Sequence, residues 1–152
     1  MLPKASEYDA LVAGAGPAGS VAAIALAKKG KRVLLADADP RACRRFAGEG
    51  LHPTGVGGRD RFRVGRLERA HARAGYGFVI HPDDREGAIE MPYGQGTALP
   101  AEHEESVRAL REAAIATPGV EHASFCRVVE VEDPDARSAV RVKVECRETG
   151  AG

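Results

Sequence analysis

The sequence predicts an α/β fold in which a parallel sheet carries helices and an antiparallel hairpin follows near the C-terminal end. Three observations predict it. A short apolar run, Asp9 to Ala13, leads into a glycine-rich turn, an alanine-rich helix and a second apolar run, Arg32 to Asp37. A helical stripe at Val107, Leu110, Ala114 and Ile115 is followed by another apolar run, Val120 to Phe125. Residues 127–132 and 139–145 then alternate apolar and charged side chains, as two half-buried strands do. Short apolar runs bounded by turn residues suit strands covered on both faces, which is the condition of a parallel sheet.

The first unit is the most informative. Gly14-Ala15-Gly16-Pro17-Ala18-Gly19 matches GxGxxG and lies between a strand and a helix, the context that gives this motif its meaning. Gly14 allows the tight turn out of the strand, Gly16 lets a pyrophosphate approach the backbone, and Gly19 lets the helix pack close to the strand. The helix N-terminus offers unpaired N–H groups and the positive end of its dipole to phosphates. Gly30 ends the helix, spanning Ser20 to Lys29, as a C-terminal cap. Asp37 then stands about 20 residues past the glycines, where a carboxylate accepts hydrogen bonds from a ribose and repels a 2′-phosphate. The unit is a Rossmann-like βαβ with an unphosphorylated dinucleotide in view, and FAD and NAD both fit it.

The remaining elements follow in order. Gly55 to Arg73 is dense in Arg and Gly, and its arginines read as a solvated face, since Asp60 and Glu68 interrupt them. Tyr76 to Ile80 and Ala88 to Met91 read as a strand and its return, with a turn at Pro82-Asp83-Asp84. The helix bearing Val107 and Leu110 stops at Thr117-Pro118-Gly119, and Val120 to Phe125 returns to the parallel sheet. In the final hairpin, turning at Asp133-Pro134-Asp135, Val129 and Val131 are expected on the core face with Val140, Val142 and Val144. Glu130 and Glu132 then oppose Arg141 and Lys143. That register sends Cys126 and Cys146 to opposite faces, so no disulfide is expected.

Composition narrows the function classes. The 152 residues suit one domain. Lys and Arg total 22 and Asp and Glu total 22, which argues against a general nucleic-acid partner, since such proteins carry a basic excess. Three cysteines without a CxxC pair exclude a disulfide scaffold and a cysteine zinc site, and point to a reduced, cytoplasmic setting. Cys43, beside Arg44 and Arg45, reads as a plain thiol. The uncharged run Ala10 to Ala27 has the 18 residues of a membrane-span candidate, but Glu7, Asp9 and the glycines within it oppose insertion and secretion. The five histidines lack metal-ligand spacing, no GxSxG is present, and no metal is expected.

The stretch from Asp9 to Asp37 resembles the N-terminus of FAD-dependent oxidoreductases. Their pattern GxGPAGxxxAxxLAxxGxxVxxxE is met by Gly14, Gly16, Pro17, Ala18, Gly19, Ala23, Leu26, Ala27, Gly30 and Val33, with Asp37 where the family usually has Glu. Asp39-Pro40-Arg41 and the stretch Arg44 to Pro53 are similar to the segment after the second strand in flavoprotein monooxygenases of the p-hydroxybenzoate hydroxylase type. Gly48 to Pro53 is also similar to the GExLxP stretch of flavin halogenases and geranylgeranyl-reductase-like enzymes.

The resemblance implies an FAD site built by Gly14, Ala15, Gly16, Pro17, Ala18, Gly19 and Asp37. It places Arg44 or Arg45 against the adenosine or a phosphate, and His103 at the family's helix-start Arg position. It places the Val128 backbone near the adenine, in an antiparallel β-meander that is incomplete here. It implies that residues 1–152 are the N-terminal part of the FAD-binding domain, with a substrate-side β segment at about 74–98. A Gly-Asp-Gly motif and a further sheet strand of the family lie beyond these residues, so a C-terminal region or a partner chain is expected to complete the site. The implied activity is hydroxylation of a small organic substrate with O₂ and NAD(P)H as transient reductant. A flavin-dependent reductase or halogenase, or a non-catalytic nucleotide-binding fragment, are the alternatives. No residue present is singled out as the catalytic acid or base.

Overall fold

The computed structural model describes residues 7–44, 50–61, 74–83, 87–100, 102–132 and 139–147. Strand β1 (Ala10–Ala13), helix α1 (Pro17–Ala27) and β2 (Val33–Asp37) form the βαβ unit, followed by a 3-10 turn at Pro40–Arg44. Next come β3 (Gly50–Leu51), α2 (Pro53–Arg61), β4 (Gly77–Ile80), β5 (Ile89–Pro92) and β6 (Leu99–Pro100). Helix α3 (His103–Ile115) leads to β7 (Val120–Ser124), β8 (Cys126–Glu132) and β9 (Arg141–Cys146). Strands β1, β2 and β7 make a parallel sheet with β2 in the centre, in the registers Ala10↔Val33 and Val33↔Val120. Three antiparallel pairs stand beside it: β3 with β6, β4 with β5, and β8 with β9.

The sequence of β2 is apolar because both faces of the sheet are covered. Val33 and Leu35 point to the helix side, where they pack with Ala23, Ile24 and Ala27 of α1 and with Leu110 and Ala114 of α3. Leu34 and Ala36 point the other way, to Ala123 and Cys126, with Leu11 and Val144 closing the cluster. Each fully buried Val, Leu or Ile contributes about 1.5–3 kcal/mol. Fully buried Ala23 and Ala114 allow α1 and α3 to approach closely, so small residues on the facing sides of the helices set their spacing. Gly30, at φ +78°, turns the chain from α1 toward β2, and its N–H donates to the Ala27 carbonyl at 2.9 Å.

Two expectations are corrected. Ile115 does not belong to the buried stripe of α3: it is 46% exposed, while Val107, Leu110 and Ala114 are buried. Spacing explains this, because positions 107, 110 and 114 keep one helical face and position 115 turns past its edge. The hairpin register also differs. Glu130 does pair with Lys143 and Glu132 with Arg141, but a bulge at Val129 lets Val128 oppose Val144. Val128 and Val131 therefore share a face with Val142 and Val144, and Val129 is exposed. The extra residue also changes the parity of everything before it. Cys126 comes directly opposite Cys146, Cα to Cα 4.0 Å, and the two form a disulfide. The turn of this hairpin, Arg45, Gly48, Glu49, Asp84 and Phe62 to Arg73 lie outside the described residues. No helix among the described residues is long and apolar enough to cross a membrane.

Candidate functional site

The C-terminal ends of β1 and β2 open onto the glycine-rich turn. Gly14 sits at φ +100°, a conformation that side chains strongly disfavour, and its N–H donates to the Ala36 carbonyl at 2.7 Å. A Cβ at Gly19 would overlap the Gly14 carbonyl, so glycine is what lets α1 lie directly on the turn. A Cβ at Gly16 would meet nothing within 4 Å, so the space in front of the turn is open. Gly16 is the N-cap of α1, Pro17 stands at the first helical position, and no acidic residue lies in the first turn. The orphan N–H groups and the dipole of α1 thus face an uncluttered opening of the kind a phosphate occupies.

Asp37 closes β2 at the edge of this opening. It is buried, with a side chain only 10% exposed, and Arg111 of α3 approaches its Oδ2 at 3.1 Å. Arg111, itself 14% exposed, also donates from Nε to the Ala15 carbonyl at 3.1 Å and from Nη1 to the Pro40 carbonyl at 2.8 Å. The Arg111–Asp37 contact has ion-pair distance without hydrogen-bond alignment, so Oδ2 keeps an unmet capacity to accept. His122 on β7 lies near this pair. Its imidazole is held below the usual value of 6.5, first by burial, partly offset by the Asp37 charge, and pushed further down by Arg111. Its buried Nε2 has no hydrogen-bond partner among the described residues, and its Nδ1 lies 3.4 Å from Ser124 Oγ.

The other sequence-derived candidates are more dispersed. Ala15 and Ala18 belong to the turn and to the first turn of α1. Arg44 ends the 3-10 turn with an exposed side chain, 3.8 Å from Glu104 in the first turn of α3. His103 is the first residue of α3, eight positions before Arg111, so Arg44 and His103 both belong to the region of the α3 N-terminus. Arg45 lies outside the described residues. Val128 is on β8, half-buried, and lines a cavity of about 860 Å³ between β1 and the β8–β9 hairpin, with Leu11, Leu34, Val142 and Val144. No group of three or more metal-ligating side chains occurs among the described residues.

Sequence reasoning missed Arg111 and His122. A weak signal existed for the first: Val107, Leu110, Arg111 and Ala114 stand at i, i+3, i+4 and i+7, so Arg111 occupies a core-facing position of the stripe. A charged residue there needs a buried partner. His122 carried no such signal, being one polar residue in a short strand.

Comparison with known proteins gives the arrangement a context. The family described as FAD binding domain matches residues 7–151. The chain is similar to squalene monooxygenase of Mus musculus, 25% identical over 152 residues, covering 95% of this chain and 26% of that protein. Among solved structures it is similar to pqsL, a probable FAD-dependent monooxygenase from Pseudomonas aeruginosa, at TM-score 0.68 and 21% identity, covering 90% of this chain and 38% of that one. It is also similar to the myxobacterial chondrochloren halogenase CndH, at TM-score 0.72 and 24% identity, covering 93% and 33% respectively. The chain therefore spans about a quarter of the length of the squalene monooxygenase it matches.

Proposed function

Since the chain belongs to the FAD binding domain family, we propose that it holds the ADP half of FAD for a flavoprotein monooxygenase that hydroxylates a small organic substrate. The observation that carries the reading is the pairing of an open glycine turn at a helix N-terminus with the Asp37 carboxylate at the end of β2. In this reading the turn from Gly14 to Gly19 receives the pyrophosphate on its N–H groups, and Asp37 accepts from the adenosine ribose. Arg44, beside the N-terminus of α3, or else Arg45, approaches the phosphate or adenosine, His103 does so from the start of α3, and the Val128 backbone approaches the adenine. When bound, FAD supplies the two-electron redox chemistry and the reaction with O₂, with NAD(P)H as the transient reductant. The protein's own share is to bind, orient and shield. Residues 74–98, with the β4–β5 pair, form the substrate-side segment. Further polypeptide or a partner chain completes the site, and the setting is cytoplasmic.

Titration with FAD tests this. Protein desalted after mixing with FAD should retain a flavin absorption band, and ADP should compete for the site. Colourless protein that takes up neither FAD nor ADP would remove the proposal. The fold shared with the halogenase CndH supports a second reading for the reaction, halogenation on the same FAD scaffold. A flavin-dependent reductase uses that scaffold too, and product analysis of the completed enzyme separates the three.

A further inference from the structure

We propose that Arg111 is a positioning residue that pre-forms the dinucleotide site, a role that rests on the FAD reading above and extends it. The argument begins with what Arg111 joins. One guanidinium reaches three elements that are distant in sequence: the glycine turn through the Ala15 carbonyl, the end of β2 through Asp37, and the 3-10 turn through the Pro40 carbonyl. Its planar fork of five donors suits this, and a single ammonium does not.

Each link bears on ligand binding. In a planar trans peptide the C=O and the next N–H point in opposite directions. The Ala15 carbonyl is held inward by Arg111 and, at 3.4 Å, by the buried Ser20 hydroxyl. The Gly16 N–H is therefore turned outward, to the opening where a Cβ would meet nothing. Without Arg111 this peptide could rotate, and the N–H would no longer be committed to the opening.

The second link orients Asp37. Arg111 lies against Oδ2 at 3.1 Å, on the protein side, where that oxygen is closed to solvent. The contact fixes the carboxylate at the end of β2, where the FAD reading has it accept from the ribose. The third link, to Pro40, fixes the segment that leads to Arg44.

A double-mutant cycle on FAD affinity tests the role. FAD binding is measured at one temperature, below the melting point of every variant, for wild type, Arg111→Met, Asp37→Asn and the double variant. Arg111→Met should weaken binding by roughly tenfold to a hundredfold, the range for hydrogen bonds involving a charged group. In the double variant the combined loss should fall at least fivefold short of the product of the two single losses, because Arg111 acts partly through Asp37. A merely structural arginine would lower the melting temperature yet leave the folded protein's affinity unchanged, and that result would overturn the proposal. Losses that multiply without coupling would overturn it as well. If Arg111→Met does not fold, Arg111→Lys carries the test: it keeps the charge but cannot serve three acceptors, and it should still bind FAD at least fivefold more weakly. Wild-type affinity in Arg111→Lys would refute the three-way link. Wild-type protein that binds neither FAD nor ADP would sink the FAD reading itself, and so is distinguishable from failure of the Arg111 role alone.

Discussion

His122 sits on β7 within the field of Asp37 and Arg111, with its Nε2 buried and unpartnered among the described residues. Burial lowers its affinity for a proton, and the Arg111 charge adds to that against the opposing pull of Asp37. The sign of the consequence is fixed by linkage. The unfolded chain takes up the proton near the usual 6.5, whereas the folded chain takes it up only at lower pH. Between those two points the unfolded state binds more protons, so stability falls as pH drops from about 6.5 downward. Melting temperatures of wild type and His122→Gln should run parallel above pH 7. They should diverge below 6.5, with wild type falling faster. Parallel curves through pH 5.5 would mean the imidazole titrates freely. The same neighbourhood marks how far the residues could be read in advance. Gly14, Gly16, Gly19 and Asp37 were legible because backbone chemistry demands those residue types at that spacing. Arg111 was not, since an arginine on a helix is normally exposed and only the tertiary approach of α3 to β2 gives it a buried partner.

At the scale of elements, apolar runs and periodicity identified β1, α1, β2, α3 and β7 and returned β7 to the parallel sheet, while its place beside the central β2 is given by the structure alone. What periodicity could not supply was the bulge at Val129. Alternation has a period of two, so one extra residue preserves the pattern on each side while inverting their relation. The Glu130–Lys143 and Glu132–Arg141 pairs were read correctly because they lie on one side of the bulge. The cysteines were misread because Cys126 lies on the other side and Cys146 opposes it. Deletion of Val129 provides a direct check. It removes the extra residue, so with the charged pairs held, Val128 adjoins Glu130 in a regular ladder and still opposes Val144, and Cys126 still opposes Cys146. The disulfide should therefore survive: air-oxidised and denatured without reductant, the deletion variant should show the Cys43 thiol alone, as wild type does. Three thiols in the deletion variant would mean that Val129 is not the residue that brings the cysteines into register.

Across the whole molecule, the parallel sheet is served on both sides while the β4–β5 pair is not. Strand β2 is buried at every position between the helix layer and the β8–β9 hairpin. The pairs Phe78↔Met91 and Ile80↔Ile89 set four apolar side chains on one face of β4–β5, and each is about half exposed. Phe78 is held at one end by edge-to-face contact with Tyr93 and a tilted contact with His52, which leaves the rest of the face bare. A contiguous apolar face of this kind drives association in water, because burying it against another surface removes apolar area from solvent. The segment that the proposed function assigns to the substrate side is also the one least satisfied by its own chain. Sedimentation velocity across the micromolar range should therefore show the apparent mass of the wild-type chain rising above the 16.0 kDa monomer. The double variant Ile80→Lys, Met91→Lys puts two like charges on that face and should remain monomeric over the same range. It leaves the glycine turn, Asp37 and Arg111 untouched, so its FAD titration should match wild type. Wild-type protein that stays monomeric at the highest concentration would show that this face is stable in water without a cover. Association that survives both lysines would place the contact elsewhere, and the open edges of β1 and β7 would be the next strands to block.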